Sequence, residues 1–166
     1  MSYIDETLVN DEEVLYRTKP HWIIFTPPLG WLFLAILILF LAPRYPIANT
    51  TVYNNYTLTD FLGIAVLLVA LFSGLVAYIT YLSSEYGITN RRILMKVGFI
   101  SRTSLEILLQ RVESIQVYQS VLGRIFDYGS IIVSGTGGSK DPFPNIPDPL
   151  VFRRYAQQQL EQINRP

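Results

Sequence analysis

The sequence predicts an α+β membrane protein: a two-helix transmembrane hairpin followed by a bent antiparallel β sandwich or barrel that a C-terminal helix caps. Three observations predict it. Half of the 166 residues are apolar and only 16% are charged, against about 25% in a typical soluble domain. Two long uncharged stretches occupy the first half. The rest alternates apolar and polar residues in short runs punctuated by glycine and asparagine, the pattern of antiparallel strands.

The clearer membrane span is Phe61–Leu82, FLGIAVLLVALFSGLVAYITYL, 22 residues without a charge. As a helix it reaches ~33 Å, enough for a hydrocarbon core of ~30 Å. It has no polar stripe, which a helix at the surface of a soluble core would carry. Residues 22–42 form a second uncharged run that Pro27, Pro28 and Gly30 interrupt. Proline fits the first turn of a helix, so a helix is predicted to begin at Thr26 or Pro27, with a kink or an interfacial lead-in over Trp22–Phe25. Ahead of it, residues 1–21 carry five acids (Asp5, Glu6, Asp11, Glu12, Glu13) and only Arg17 and Lys19. A cleaved signal peptide begins with a short positive leader, so the apolar run at 22–42 reads as a permanent anchor.

Three regions follow: a leader at 1–21, a hairpin at 22–82 with spans at about 22–42 and 61–82, and a domain at 83–166. The loop 43–60 holds one cation, Arg44, whereas Arg91, Arg92, Lys96 and Arg102 follow the second span. By the positive-inside rule both termini are cytoplasmic and the loop is outside. Tyr45, Tyr53 and Tyr56 in that loop suit an interfacial belt. The Asn49-Thr50-Thr51 and Asn55-Tyr56-Thr57 triplets match a glycosylation acceptor pattern that is common by chance, and nothing else points to a eukaryotic secretory route. Ala70 and Gly74 make a small-xxx-small pair in the second span, suited to close packing against the first span or against another subunit.

Beyond Leu82 the strands are read from alternation: Tyr86 and Ile88; Ile93, Met95 and Val97; Leu105 and Ile107; Ile115 and Val117; Ile131 and Val133. Ser120–Phe126 reads as a short helix with Ser120 as its N-cap and Leu122, Ile125 and Phe126 facing inward. Asp148-Pro149 opens the last helix, and Phe152, Tyr155, Ala156, Leu160 and Ile163 recur at helical spacing. Only Ser83, Ser84 and Glu85 separate the second span from the first strand, so the domain is predicted to be held at the membrane.

The order of Tyr86-Gly87-Ile88-Thr89-Asn90-Arg91-Arg92-Ile93, Gly98, Leu109-x-Arg111-Val112, Gln119-Ser120, Gly123-Arg124-Ile125-Phe126, Tyr128-Gly129 and Ile146-Pro147-Asp148-Pro149 resembles the bacterial pleckstrin-homology-like domain family, the YdbS-like integral membrane proteins. The leader segments Asp11-Glu12-Glu13-Val14-Leu15-Tyr16 and Pro20-His21-Trp22, and the hairpin itself, resemble it too. The resemblance implies a bent seven-stranded sheet closed at one end by a helix. It implies no settled activity. In lipid-binding PH domains basic residues near the first hairpin hold phosphoinositide headgroups, which here nominates Arg91, Arg92, Lys96 and Arg102. The plainer reading makes Asn90 the turn residue and the arginines topology determinants, one of them in an ion pair.

Catalysis is not expected. With no cysteine and one histidine there is no thiolate nucleophile and no zinc cluster. A Ser-His-Asp triad would need His21, which both spans separate from the domain in sequence and which reads as structural. Ser134–Lys140 is not a phosphate loop, because Ser139 precedes the lysine and Asp141-Pro142-Phe143-Pro144 forbids a following helix. No ionisable group lies inside either span, against a channel or transporter. Arg111 with Glu113 and Arg124 with Asp127 are candidate surface ion pairs. The zero net charge speaks against nucleic acid. The expected function is a non-enzymatic, membrane-anchored binding or scaffold module of the bacterial inner membrane. It would need no cofactor or metal and would meet membrane lipids, a second copy or another membrane protein. The alternative is a sensor of anionic headgroups.

Overall fold

The computed structural model describes residues 3–9, 11–41, 51–53, 56–98, 103–136 and 142–163. Along the chain the elements are α1 (Tyr3–Thr7), β1 (Val14–Thr18), a 3-10 turn (Trp22–Phe25), α2 (Thr26–Leu41), β2 (Thr51–Tyr53), β3 (Tyr56–Thr57), α3 (Leu58–Ser83), β4 (Glu85–Thr89), β5 (Arg92–Val97), β6 (Thr103–Leu108), a second 3-10 turn (Leu109–Arg111), β7 (Val112–Tyr118), α4 (Val121–Ile125), β8 (Tyr128–Gly135), β9 (Pro142–Pro147) and α5 (Pro149–Ile163). They fall into two compact units: a β unit, Met1–Ile23 with Thr80–Pro166, and a helical unit, Ile24–Ile79.

The β unit holds two antiparallel sheets, one in the order β1-β4-β5-β6 and one in the order β7-β8-β9. Beta-branched and aromatic residues at alternate positions drive the strands. Their inward sides form one core: Tyr86, Ile88, Ile93, Met95 and Ile107 from the first sheet meet Ile131, Val133, Phe143 and Ile146 from the second, joined by Phe152 and Ala156 of α5. The chain passes from β6 to β7 through the 3-10 turn without pairing them, so among the described residues no barrel closes.

The leader, which the sequence sets apart as its own segment, is part of this unit. Strand β1 pairs antiparallel with β4, Tyr16 opposite Ile88 and Thr18 opposite Tyr86. Helix α1 lies on the outer face of the same sheet. Ile4 is fully buried, and a β-carbon built at Gly87 would lie 2.7 Å from its Cδ1. That cover explains why every residue of β4 is buried, although alternation predicts one exposed face.

Strand β9 is absent from the strands that alternation predicts. Pro142, Pro144 and Pro147 deny it ladder donors, yet it lies at the edge of its sheet, where proline is tolerated. Phe143 and Ile146 anchor it in the core. At Gly129 the second sheet approaches its neighbours too closely for a side chain: a β-carbon there would lie 2.6 Å from the Tyr118 carbonyl oxygen and 3.0 Å from Pro149 Cγ. Gly129→Ala should therefore push β7 from β8 and lower stability by about 1–3 kcal/mol, read as a shift in the urea unfolding midpoint.

Helix α4 departs from its sequence reading. Ser120 caps it as expected, its Oγ accepting from the Gly123 amide at 3.0 Å. Leu122, Ile125 and Phe126 face solvent rather than the core. The inward position belongs to Gly123, where a β-carbon would lie 2.6 Å from the Tyr128 carbonyl oxygen. The backbone meets the sheet there, and the large side chains are left outside.

In the helical unit α2 begins at Thr26 after the 3-10 turn, as the prolines predict. At ~1.5 Å per residue its 16 residues extend ~24 Å and the 26 of α3 ~39 Å. The two helices approach through small residues. Ala35 and Ala70 are buried, and a β-carbon at Gly63 would collide with the Leu39 side chain. The short strands β2 and β3 pair between them.

Candidate functional site

The cations of the first hairpin are the natural place to look for a ligand. Strands β4 and β5 are joined through Asn90 and Arg91, with Ile88 opposite Ile93. Asn90 is fixed by the leader: its Oδ1 accepts from the Glu13 amide at 3.2 Å and its own amide donates to the Glu13 carbonyl at 3.1 Å.

Arg92 does not face solvent as a free cation. Its Nε and Nη2 donate to the two carboxylate oxygens of Glu12 at 2.9 and 2.8 Å. Its Nη1 donates to Glu106 Oε2 at 2.9 Å, and Nη2 also reaches the Thr7 carbonyl. Glu12 further accepts from the Thr89 hydroxyl at 2.7 Å and the Val9 amide at 3.0 Å. The Glu12 side chain is 1% exposed and that of Arg92 16%. The paired Arg92 guanidinium, opposed only in part by burial and aided by Thr89 and Val9, holds the Glu12 carboxyl down at about 2. Hydrogen bonding to Glu12 in turn raises Arg92. The second carboxylate, Glu106, accepts from the Tyr3 hydroxyl at 2.7 Å through Oε1. Burial, then Glu106, pushes that phenol up.

Lys96 is engaged too, its Nζ standing 4.4 Å from the centre of the Tyr3 ring. Arg91 is exposed. Arg102, residues 137–140 of the glycine-rich segment, Tyr45, Asn49 and Asn55 lie outside the described residues. Of the four nominated cations, the structure thus brings Arg92 and Lys96 together on one leader-covered face and leaves Arg91 apart at the turn. Sequence reasoning missed Tyr3, Glu12 and Glu106 as their partners. The signal was present in the charges: the leader has five acids against two bases, and residues 83–166 have ten bases against seven acids. A second leader-to-sheet bridge repeats the pattern, Arg17 meeting Asp5 at 3.3 Å and Glu85 at 3.1 Å. Arg111 with Glu113 and Arg124 with Asp127 are not among the ion pairs of the described residues.

The other nominated positions are structural in their surroundings. Ala70 and Gly74 border an apolar groove with Pro28, Leu29 and Leu32, Gly74 leaving ordinary contact distance, 3.7 Å, between a would-be β-carbon and Pro28 Cβ. The His21 ring stacks on Tyr128 at 5.5 Å and its Nδ1 accepts from the Ile23 amide at 3.2 Å. Burial lowers its pKa, against the pull of Asp148 and Asp127. Among the described residues no three potential metal ligands of the His, Cys, Asp and Glu type gather.

The chain matches no curated protein and no solved structure. It does match a protein family, described as the bacterial PH domain, over residues 27–160. That span takes in nearly all of α2, all of α3 and α4, most of α5 and every strand except β1, and it leaves out α1. The seven strands in two sheets and the helix at the C-terminal end agree with what the resemblance implies, and with the match over residues 27–160 the chain belongs to the bacterial PH domain family.

Proposed function

We propose that the chain is a non-enzymatic PH-like module anchored in the bacterial inner membrane. It would serve protein interaction or self-assembly at the cytoplasmic face. Helices α2 and α3 would cross the bilayer with both termini inside, as the Lys/Arg asymmetry indicates. Their outward surface supports this: Phe33, Phe40 and Phe72 are exposed, and few residues of either helix are buried, the opposite of a soluble core helix. A protein-binding module tethered this way meets membrane-bound partners at a raised effective concentration.

The observation that carries this reading over headgroup sensing is the engagement of Arg92 and Lys96. A phosphate pocket needs guanidinium and ammonium donors turned towards the ligand, and these two are turned towards Glu12, Glu106 and Tyr3. The test is native mass spectrometry of the full chain released from lipid nanodiscs. The double variant Arg91→Gln/Lys96→Gln should retain the same number of anionic lipids as the wild type, and both should carry a protein partner or a second copy. Lipid lost in the variant, with no protein association in either sample, would move the assignment to the headgroup sensor.

A further inference from the structure

We propose that α4 and Trp22 form a membrane-seating patch, an apolar face that the β unit sets into the headgroup zone of the bilayer its own chain enters. The inference rests on the membrane reading above. Its first support is how α4 is mounted. The side facing the sheet is Gly123, close against the Tyr128 carbonyl. Ser120 caps one end. Asp127 closes the other in the left-handed region, φ 52°, its carbonyl accepting from the Asp148 amide at 2.8 Å. Specific contacts fix a five-residue helix on the sheet with its apolar side chains exposed away from the core. Val121 is 78% exposed and Ile125 66%, and Leu122 and Phe126 are exposed beside them. A soluble domain does not gain from such a face, whereas a lipid-contacting one does.

The second support is where the patch lies. Trp22 opens the apolar stretch Trp22–Leu41, and its ring meets Phe126 edge-on at 5.8 Å. One residue earlier, the His21 amide donates to the Asn145 carbonyl at 2.6 Å and its ring stacks on Tyr128. The last residues before the span are therefore fastened to the end of the β unit that carries α4. Tryptophan and phenylalanine at that level suit the headgroup zone. Arg124 of α4 and Arg153 of α5 line one depression with Tyr118, which Asp127 shares. Two cations against one acid there favour an anionic leaflet.

The cysteine-free chain allows a clean test. The single variants Ile125→Cys, Gln158→Cys at an exposed position of α5 and Phe72→Cys in α3, each in the full chain in liposomes, are labelled with a polarity-sensitive fluorophore. At Ile125 the probe should be shielded from aqueous iodide several-fold relative to Gln158, and quenched by lipids carrying a nitroxide at headgroup depth. Iodide quenching equal to that at Gln158 would overturn the proposal. So would shielding from both quenchers, which would mean that a protein covers the face. The Phe72 probe separates the two levels: quenching there by a nitroxide deep in the acyl chains keeps the membrane reading whatever Ile125 does, and its absence overturns both. Val121, the outermost side chain, gives the same comparison a second time.

Discussion

Arg92→Met should unfold the β unit at much lower urea than the wild type, a loss of about 3–5 kcal/mol. The variant strands Glu12, a carboxylate whose side chain is 1% exposed, with only the Thr89 hydroxyl and the Val9 amide to solvate it. The stranded charge, rather than the missing contact, dominates the loss, and a double variant separates the two. Glu12→Gln/Arg92→Met removes both charges and should recover a good part of the stability, because neutral partners of similar volume escape the desolvation penalty. Wild-type stability in the single variant would show that the leader does not hold the hairpin. The same carboxylate fixes a pH dependence. Glu12 titrates at about 2 in the fold against an ordinary value of 4.5. A depressed carboxylate stabilises the fold above its unfolded pKa, so this contribution is complete above pH 4.5 and disappears as the pH falls towards 2. The shift corresponds to about 3 kcal/mol. Urea midpoints measured from pH 7 to pH 3 should fall for the wild type and fall less for Glu12→Gln.

What the sequence reveals of this fold is what neighbours in sequence decide. The alternation of Tyr86 with Ile88, Ile93 with Met95, and Ile131 with Val133 places each of these side chains in the core. Asp148-Pro149 marks the start of α5 where the helix begins. What it conceals depends on distant partners. Val14–Thr18 alternates well enough for a strand, but its partner β4 lies beyond both apolar helices, and no local pattern announces that pairing. Strand β9 is hidden by its prolines, which argue for a loop until its edge position is known. In α4 the pattern itself misleads. Leu122, Ile125 and Phe126 form an apolar face at helical spacing, and periodicity assigns such a face to the core although the sheet leaves it exposed. The site divides the same way. The hairpin cations are plain in the sequence, whereas their engagement by Glu12, Glu106 and Tyr3 depends on the leader folding back.

That return of the leader also gives the C-terminal helix its importance. Phe152 is buried and sets its ring edge-on to Tyr16 of β1 at 5.7 Å, while Tyr155 stacks on the same Tyr16 ring at 5.0 Å. Helix α5 thus clasps a strand from the opposite end of the chain, and it also packs on β7 and β8. Phe152→Ala should cost about 3–5 kcal/mol, the transfer of a whole ring plus the cavity it leaves. The loss should spread unevenly. Strand β1 is an edge strand held by β4 on one side only, so its remaining support comes from α5 and from the Glu12 and Arg17 bridges. Hydrogen exchange should speed up most at the amides of Val14–Thr18, before those of β5, which is flanked on both sides. Tyr16→Ala should reproduce the fast exchange in β1 with a smaller global loss, because it removes the contact and leaves Phe152 in the core. If Phe152→Ala instead loosened all strands equally, α5 would be a lid on the whole core and not a clasp on the leader.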